Sequence, residues 1–269
     1  METEPIARMP ALSRRLHAAL DRLRPGPAPD APPADARTDW RGISSEDRAI
    51  IERALPHTMT GVPRLAALVD AVRHCVRREV PGAFAECGVW RGGSVLAMAM
   101  TLQAMGRTDR DIHLYDTFEG MTEPTEHDVS PLEPPALETW TAAQRRDTRP
   151  WQELFSPDLF DETAVRETVL STGYPAERVH LARGPVEHTV PGQAPERIAL
   201  LRLDTDWYES TCHELEHLYP RLVEGGVLII DDYGHWEGAR RAVDEYFARQ
   251  PAPPLLNRID YTARIAVKP

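Results

Sequence analysis

Short apolar runs alternate with amphipathic segments along most of the chain after residue 82. The apolar runs have the length and flanking turn residues of buried strands, and the segments between them have helical periodicity. This alternation predicts an α/β domain with a mostly parallel sheet and helices on both faces, and a final hairpin adds antiparallel strands at one edge. The seven predicted strands cover residues 83–89, 111–117, 179–184, 198–204 and 226–232, with two around a turn in 255–268, and the helices cover 94–105, 161–172, 208–222 and 236–249.

The first part of the chain differs from the rest. Residues 1–24 carry leucines among arginines at helical spacing, and residues 25–36 are rich in proline and alanine. We interpret residues 1–40 as a helix and a linker, with the helix covering a neighbouring surface or a second subunit. A helix on a membrane surface is the less favoured alternative. The leucines are Leu12, Leu16, Leu20 and Leu23.

Residues 41–269 are predicted to form the main domain. Residues 43–80 have helical periodicity, which PHTMTG at 56–61 interrupts as a turn or a mobile loop. The strand–helix alternation breaks between about 120 and 160, where Pro, Trp and charged residues are frequent. Because a long irregular insertion is usually functional or disordered, we predict a lid over an acceptor substrate. A mobile surface insertion is the alternative.

Composition excludes several functional classes. The 269 residues carry 42 acidic and 31 basic side chains, a formal net charge of −11. A nucleic-acid partner is therefore not expected, since it would need a basic surface. Cys75, Cys87 and Cys212 are isolated and odd in number, which argues against a zinc cluster or a disulfide framework. Without a membrane-length apolar stretch or a signal-peptide pattern, we expect a cytoplasmic protein with no membrane partner.

Carboxylates follow two of the predicted strands. LRLD ends on Asp204, and LIIDD ends on Asp231 and Asp232. Neighbouring parallel strands lie about 4.8 Å apart, so these side chains are expected to converge. They would repel one another unless a cation or protons intervene. A hard divalent ion with oxygen ligands is the simplest occupant; a trio of solvated strand-end acids is the alternative.

A glycine-bearing turn, ECGVWRGGS at 86–94, follows the first predicted strand. Trp90 stands where the pattern G-x-G-x-x-G needs its second glycine, so a nicotinamide cofactor is disfavoured. Glu86 suits an adenosine-bearing ligand with a cationic amine, although a plain tight turn is the alternative. After the second strand, Asp116 is placed to accept hydrogen bonds from ribose hydroxyls, and Phe118 to contact an adenine. A cap or turn acid is the alternative for Asp116.

Two more polar residues flank the acidic runs. Asp206 precedes a predicted helix and has Glu209 three residues on, a capping-box spacing that predicts a structural role. His235 follows Asp232 by three residues. It either faces an acceptor pocket or is an incidental loop histidine.

Four motifs in order resemble the macrocin O-methyltransferase family over residues 55–250: ECGVWRGGS, LYDTFEGM, LRLDTDWYEST and GGVLIIDDYGHWEGARRAVDEYF. The resemblance implies the class I methyltransferase fold, which is Rossmann-like, with S-adenosylmethionine as methyl donor and Mg²⁺ as metal cofactor. It implies an enzyme of antibiotic biosynthesis that methylates a sugar hydroxyl of a glycosylated natural product. The implied partner is a small-molecule glycoside acceptor.

The resemblance also implies roles for particular residues. Asp204, Asp231 and Asp232 match the metal ligands of the family, and Asp204 also matches its proposed general base. The segment Thr58–Thr60 is implied to close over the donor. The implied donor-binding residues are Met59, Glu86, Gly88, Arg91, Gly93, Ser94, Asp116, Phe118 and Gly184.

Two alternatives remain for the function. A metal-dependent catechol or phenol O-methyltransferase would share the glycine turn and the strand-end acids. A non-catalytic ligand-binding protein on the same fold is a second alternative. The amphipathic N-terminal segment makes us expect a homo-oligomer.

Overall fold

The computed structural model describes residues 38–155 and 160–269. The predicted N-terminal helix and its linker lie almost entirely outside these residues, and that prediction is untested. None of the described helices has the length and hydropathy that a membrane span requires. The helices are α1 (Ser45–Ala54), α2 (Val62–Arg77), α3 (Gly93–Ala104), α4 (Ala136–Arg145), α5 (Glu162–Leu170), α6 (Val186–Thr189), α7 (Tyr208–His217) and α8 (Glu237–Ala248). The strands are β1 (Ala83–Cys87), β2 (Ile112–Asp116), β3 (Val179–Arg183), β4 (Ile198–Leu203), β5 (Leu222–Ile230), β6 (Asn257–Arg258) and β7 (Arg264–Val267).

The seven strands form one sheet in the order β3-β2-β1-β4-β5-β7-β6. The first five pair in parallel, and β7 pairs antiparallel to both β5 and β6. This confirms the predicted mostly parallel sheet with an antiparallel edge. The strand order reverses between β1 and β4, and open α/β sheets bind ligands at the carboxyl ends of the strands beside such a reversal.

Helices cover both faces of the sheet, so its central strands are buried on both sides. Adjacent residues of β1, Phe84 and Ala85, belong to separate apolar clusters, as do Leu200 and Leu201 of β4. One cluster contains residues of α1, α2, α3 and α5, and the other contains residues of α7 and α8. This arrangement accounts for the continuous apolar runs, since alternating polar residues would have no solvent to face.

Pro220 ends the helix that was predicted to run to residue 222. Helix α7 ends at His217, and a 3-10 turn at Tyr219–Arg221 leads into β5. Proline has no N–H to donate, and its ring collides with the preceding helical turn. As a result β5 begins at Leu222, earlier than the predicted residue 226. The other predicted strands and helices agree with the structure in type and order.

The insertion at 120–160 is more regular than predicted, since it contains helix α4. The sequence ALETWTAAQR is composed largely of good helix formers, and it directly follows Pro134 and Pro135. The proline-rich flanks obscured this short helix in the sequence pattern. The prediction of an irregular insertion is therefore wrong for Ala136–Arg145.

Asp128 fixes the insertion to the carboxyl-end edge of the sheet. Its buried carboxylate accepts from the backbone N–H and the hydroxyl of Thr125, at 2.6 and 2.9 Å. Its other oxygen accepts from the N–H of Tyr208, the first residue of α7, at 2.7 Å. That N–H has no partner within the helix, so Asp128 acts as a cap supplied from a distant segment. Nearby, the indole N–H of Trp207 donates to the Thr122 carbonyl at 3.0 Å.

Replacing Asp128 with Ala is expected to lower the free energy of unfolding by about 2–3 kcal/mol, because a buried carboxylate with three donors and a helix cap are lost together. Urea unfolding followed by circular dichroism measures the change. Glu126→Ala, an exposed acid of the same loop, is the matched control and should stay within about 0.5 kcal/mol of wild type. Equal effects of the two variants would contradict the anchoring role of Asp128.

Candidate active site

Three carboxylates meet at the carboxyl ends of β4 and β5. Asp204 directly follows β4, and Asp231 and Asp232 directly follow β5. Backbone pairing continues one residue past each strand, since the N–H groups of Asp204 and Asp231 donate to the carbonyls of Cys87 and Leu203, each at 2.9 Å. The three side chains offer oxygens that lie within 4.8 Å of one another. The structure thus brings together the acids singled out in the sequence, as a donor set that suits a hard cation.

Arg202 neutralises part of this charge, a role that the sequence analysis missed. One guanidinium nitrogen donates to Glu86 and Asp204, at 2.5 Å each. The other donates to Asp231 at 2.5 Å and to the Thr60 hydroxyl at 3.0 Å. The side chain is only 3% exposed. The available signal was an arginine inside an otherwise apolar strand, because a buried charge must be paired.

Arg64 of α2 is a second arginine that contacts the acidic cluster. It forms ion pairs with Asp231 and, at 3.0 Å, with Asp260 of the β6–β7 loop. Together with the bond between Thr60 and Arg202, this pairing ties the segment that leads into α2 to the acidic cluster. Thr60 and the start of α2 are therefore fixed beside the acidic cluster, and closure of Thr58–Thr60 over a methyl donor stays a prediction.

Burial and neighbouring charges shift the pKa values of the acids in different directions. Burial raises the pKa of Asp204 to about 6, although Arg202 opposes it. Burial also acts on Asp231, but the charges of Arg202 and Arg64 outweigh it and lower the pKa of that carboxyl. Burial, reinforced by neighbouring carboxylates, raises the pKa of Asp232 well above its usual range. The two arginines therefore favour the ionised form of Asp231. The ionised form of Asp232 is disfavoured unless a cation lies beside it.

Asp206 does not cap α7, so the capping-box prediction is wrong. The N-cap residue is Trp207, and Asp206 has a left-handed φ of 67° in place of the extended backbone that a cap needs. Its carboxylate accepts from the indole N–H of Trp236 at 2.8 Å, and its own N–H donates to Asp232 at 3.3 Å. Burial and the charge of Asp204 raise its pKa well above the usual range. Asp206 is therefore a fourth acid of the cluster.

The end of β1 combines a close backbone approach with a buried acceptor. Gly88 has φ 78°, and a Cβ there would overlap the carbonyl of Asp204, so only glycine fits. One oxygen of Glu86 accepts from Arg202, while the other is buried without a hydrogen-bond partner among the described residues. Burial raises the pKa of Glu86 to about 8 against the opposing charge of Arg202. A buried acceptor of this kind points to a donor group from a ligand.

Asp116 holds two loops together at the end of β2. Its carboxylate accepts from the backbone N–H groups of Val89, Trp90 and Phe118, at 2.7, 3.0 and 2.8 Å. Both Trp90 and Phe118 have left-handed φ values, 47° and 53°, which these bonds stabilise. Burial raises the pKa of Asp116, and the three N–H groups oppose that effect. This loop-ordering role agrees with the alternative of a turn acid given for Asp116, and contact with a ribose stays a prediction.

A cavity of about 620 Å³ lies among these loops, the acidic cluster and the insertion. His235 lines it, and its contact with an acceptor stays a prediction. The residues predicted to bind the methyl donor that line the cavity are Met59, Glu86, Gly88, Ser94 and Asp116. The acids that line it are Asp204, Asp206, Asp231 and Asp232. The insertion contributes Met121, Thr122, Glu133, Leu154 and Phe155.

Four other residues predicted to bind the methyl donor do not line this cavity. The Arg91 guanidinium packs 5.4 Å from the centre of the Trp90 ring. Gly93 packs under the turn that precedes α2, and Phe118 is buried against an aromatic residue of the insertion. Gly184 lines an adjoining cavity of about 540 Å³. Contact of these four residues with a donor stays a prediction.

Comparison with known proteins gives consistent matches. The family model for macrocin O-methyltransferase (TylF) matches residues 34–267. The 8-demethyl-8-(2,3-dimethoxy-alpha-L-rhamnosyl)-tetracenomycin-C 4'-O-methyltransferase of Streptomyces olivaceus is 34% identical over 234 residues, 87% of this chain and 79% of that protein. The demethyldecarbamoylnovobiocin O-methyltransferase of Streptomyces niveus is 33% identical over 204 residues, 76% of this chain and 72% of that protein.

A solved structure agrees with these relatives. The O-methyltransferase NovP superposes with a TM-score of 0.67 at 30% identity, covering 79% of this chain and 82% of NovP. The family model spans nearly all of the domain whose sheet and strand-end acids are described above. The chain therefore belongs to the macrocin O-methyltransferase family and is an O-methyltransferase.

Proposed function

We propose that this enzyme transfers a methyl group from S-adenosylmethionine to a sugar hydroxyl of a glycosylated natural product, with Mg²⁺ as metal cofactor. The observation that carries the proposal is the convergence of Asp204, Asp231 and Asp232 at one side of a cavity that also contains Glu86. The relative from Streptomyces olivaceus, which is named for methylating a rhamnosyl group, supports a sugar acceptor in antibiotic biosynthesis.

The residues at the end of β1 fit the methyl donor. The donor carries an ammonium group, and Glu86 has a buried carboxylate oxygen without a hydrogen-bond partner among the described residues. Gly88 lets a ligand approach the backbone, and Met59 and Ser94 line the same part of the cavity. When bound, S-adenosylmethionine supplies an electrophilic methyl group on a sulfonium. The protein's part is to hold that methyl group beside the acidic cluster.

Replacing Glu86 with Gln is expected to raise the dissociation constant for S-adenosylhomocysteine about 10- to 100-fold, because the ammonium group loses its ion pair with the carboxylate and keeps only a hydrogen bond to a neutral amide. S-adenosylhomocysteine keeps the amine and does not react, so isothermal titration calorimetry measures binding alone. Glu224→Gln, at an exposed position of β5, is the matched control. Unchanged affinity in Glu86→Gln would remove Glu86 from the donor site.

The acidic cluster fits a divalent cation. Five acidic side chains surround the position where β4 and β5 end, and Arg64 and Arg202 supply only two positive charges among the described residues. The acids are Glu86, Asp204, Asp206, Asp231 and Asp232. Oxygen donors in this number suit Mg²⁺, with Asp204, Asp231 and Asp232 as its ligands. When bound, Mg²⁺ supplies a Lewis acid that lowers the pKa of a coordinated sugar hydroxyl.

Asp204 is the proposed general base. It lies at the cavity surface, and its carboxylate takes the proton from the acceptor hydroxyl as the oxygen attacks the methyl group. Arg202 holds one oxygen of Asp204 at 2.5 Å and keeps the carboxylate oriented. The insertion closes one side of the cavity and limits the access of water, so most of the protein's contribution is orientation. The products are a methyl ether, S-adenosylhomocysteine and a proton.

A methyl-transfer assay with two acceptor panels tests the proposal. One panel contains p-nitrophenyl glycosides of 6-deoxyhexoses, including α-L-rhamnose, and the other contains catechols such as 3,4-dihydroxybenzoate. Mass spectrometry detects a mass increase of one methylene. Transfer to glycosides supports the proposal, and transfer to catechols alone would establish the phenolic alternative. Donor binding without transfer to either panel, or to a purified macrolide glycoside, would contradict the proposed acceptor class.

We further propose that the enzyme is cytoplasmic and that it forms a homo-oligomer. The three isolated cysteines support a reducing compartment, since Cys75 and Cys87 are buried and none of the three forms a disulfide among the described residues. The amphipathic N-terminal segment supports self-association. Size-exclusion chromatography with light scattering measures the oligomeric state, and a monomer at micromolar concentration would contradict this part of the proposal.

A further inference from the structure

Glu133 brings a carboxylate from the insertion to the cavity that contains the acidic cluster. Its side chain is 45% exposed, so it lies at the mouth of the cavity. One of its oxygens lies 3.2 Å from Nε2 of His235. A carboxylate can accept several hydrogen bonds at once, so this contact leaves capacity for donors from a ligand.

His235 is held in position from several sides. Its Nδ1 lies 3.1 Å from the Tyr261 hydroxyl, and its backbone N–H donates to the Asp232 carbonyl at 3.0 Å. The Trp236 ring packs edge-on against the imidazole, with 5.1 Å between ring centres. With partners at both ring nitrogens, the imidazole has little freedom to rotate. It therefore orients the Glu133 carboxylate that it contacts.

His235 lies at a different part of the sheet edge from the residues proposed to bind the methyl donor. Glu86 and Gly88 belong to the end of β1, on one side of Asp204. His235 follows β5, and Tyr261 lies in the β6–β7 loop, on the other side. A donor held at β1 and an acceptor held beyond β5 would meet at the acids between them. Glu133 and His235 thus lie where the acceptor must be bound.

We propose that Glu133, positioned by His235, binds a sugar hydroxyl that neighbours the hydroxyl undergoing methylation. This inference rests on the proposed function and assigns part of the acceptor site to the insertion. Sugar hydroxyls donate hydrogen bonds, and an ionised carboxylate is among their strongest acceptors. The backbone contact between His235 and Asp232 sets the pair next to the reacting position. Glu133 is the specificity-determining residue, and His235 is a positioning residue.

Monodeoxy analogues of the acceptor test this assignment directly. The probes are p-nitrophenyl α-L-rhamnopyranoside and its 2-, 3- and 4-deoxy analogues, assayed with wild type, Glu133→Gln and Glu133→Ala. For wild type, loss of the recognised hydroxyl should lower kcat/KM about 10- to 100-fold, mainly through KM. Glu133→Ala should lose a similar factor on the parent rhamnoside and no longer distinguish it from that one analogue. This is a double-mutant cycle between a side chain and a substrate hydroxyl.

Two further variants separate recognition from a general structural effect. Glu138→Ala, at an exposed position of the same insertion, should keep the full discrimination of wild type. His235→Ala should raise KM for the parent rhamnoside, and His235→Gln, which keeps a hydrogen-bond donor, should restore part of the loss. Calorimetry should give the wild-type affinity for S-adenosylhomocysteine in every variant, because the donor residues are untouched.

The outcomes distinguish this inference from the function on which it rests. Wild-type transfer to rhamnosides, with undiminished discrimination in Glu133→Ala, overturns the assignment of Glu133 alone. Absence of transfer to every glycoside by the wild type overturns the proposed function and this inference with it. Loss of discrimination in Glu133→Ala with donor affinity intact supports both.

Discussion

Asp204→Asn is expected to lower kcat by about 10²- to 10⁴-fold, the usual contribution of a general base. The amide has nearly the same shape as the carboxylate, so it can still contact Arg202, but it cannot take the proton from the acceptor hydroxyl. The loss also includes any weakening of the metal site, in which Asp204 is a proposed ligand. Initial rates of methyl transfer at saturating donor and acceptor measure the effect.

Donor binding and fold should survive this substitution. Asp204 is not proposed to contact the donor amine, although it shares one guanidinium nitrogen of Arg202 with Glu86. The asparagine amide can still accept from that nitrogen, so the affinity for S-adenosylhomocysteine should change much less than kcat. Asp70→Asn, at an exposed position of α2, controls for the change from aspartate to asparagine. Turnover at the wild-type rate in Asp204→Asn would show that another group takes the proton.

Removal of divalent cations is expected to lower activity at least about 100-fold, because a Lewis acid contributes several kcal/mol to stabilising the developing alkoxide. Excess EDTA should abolish transfer, and added Mg²⁺ should restore it. Calorimetric titration with Mg²⁺ measures binding without turnover. Asp232→Asn should weaken that binding, since the charges around Asp232 need a cation when this carboxyl is ionised.

The binding of S-adenosylhomocysteine in EDTA is the control for this experiment. Donor affinity should change much less than activity, because Asp204, Asp231 and Asp232, the proposed metal ligands, are not proposed to contact the donor amine. Full activity in excess EDTA would exclude magnesium from the mechanism. The acidic cluster would then be balanced by Arg64, Arg202 and bound protons alone.

Local pattern was enough to predict the order of the elements and the position of the three acids. Buried parallel strands are continuous apolar runs, and strands of one parallel sheet end at the same edge. For this reason the residues after β4 and β5 could be paired without knowing the rest of the fold. The same logic placed Glu86 and Asp116 at this edge.

The remaining parts of the site depend on contacts between distant segments. Arg202 stands out as an arginine in an apolar strand and Arg64 looks like an ordinary basic residue. For both, the partner Asp231 is set only by the strand register and the packing of α2. Asp206 has the spacing of a capping box, but the N–H at the start of α7 is taken by Asp128, 80 positions earlier in the chain. Such competition for one donor cannot be read from local spacing.

The cap that Asp128 provides fixes one end of the insertion to the sheet edge, so the rest of the insertion can be exchanged in an experiment. Because this buried carboxylate secures the insertion next to the start of α7, we expect the arc from 129 to 154, which includes Glu133, to tolerate changes in composition while the reacting groups keep their positions. A chimera that exchanges this arc between two relatives should therefore fold and retain chemistry while inheriting the substrate scope of its parent arc. The reacting groups and the residues that select the acceptor would then lie on separate segments of the chain, with Asp128 at the boundary.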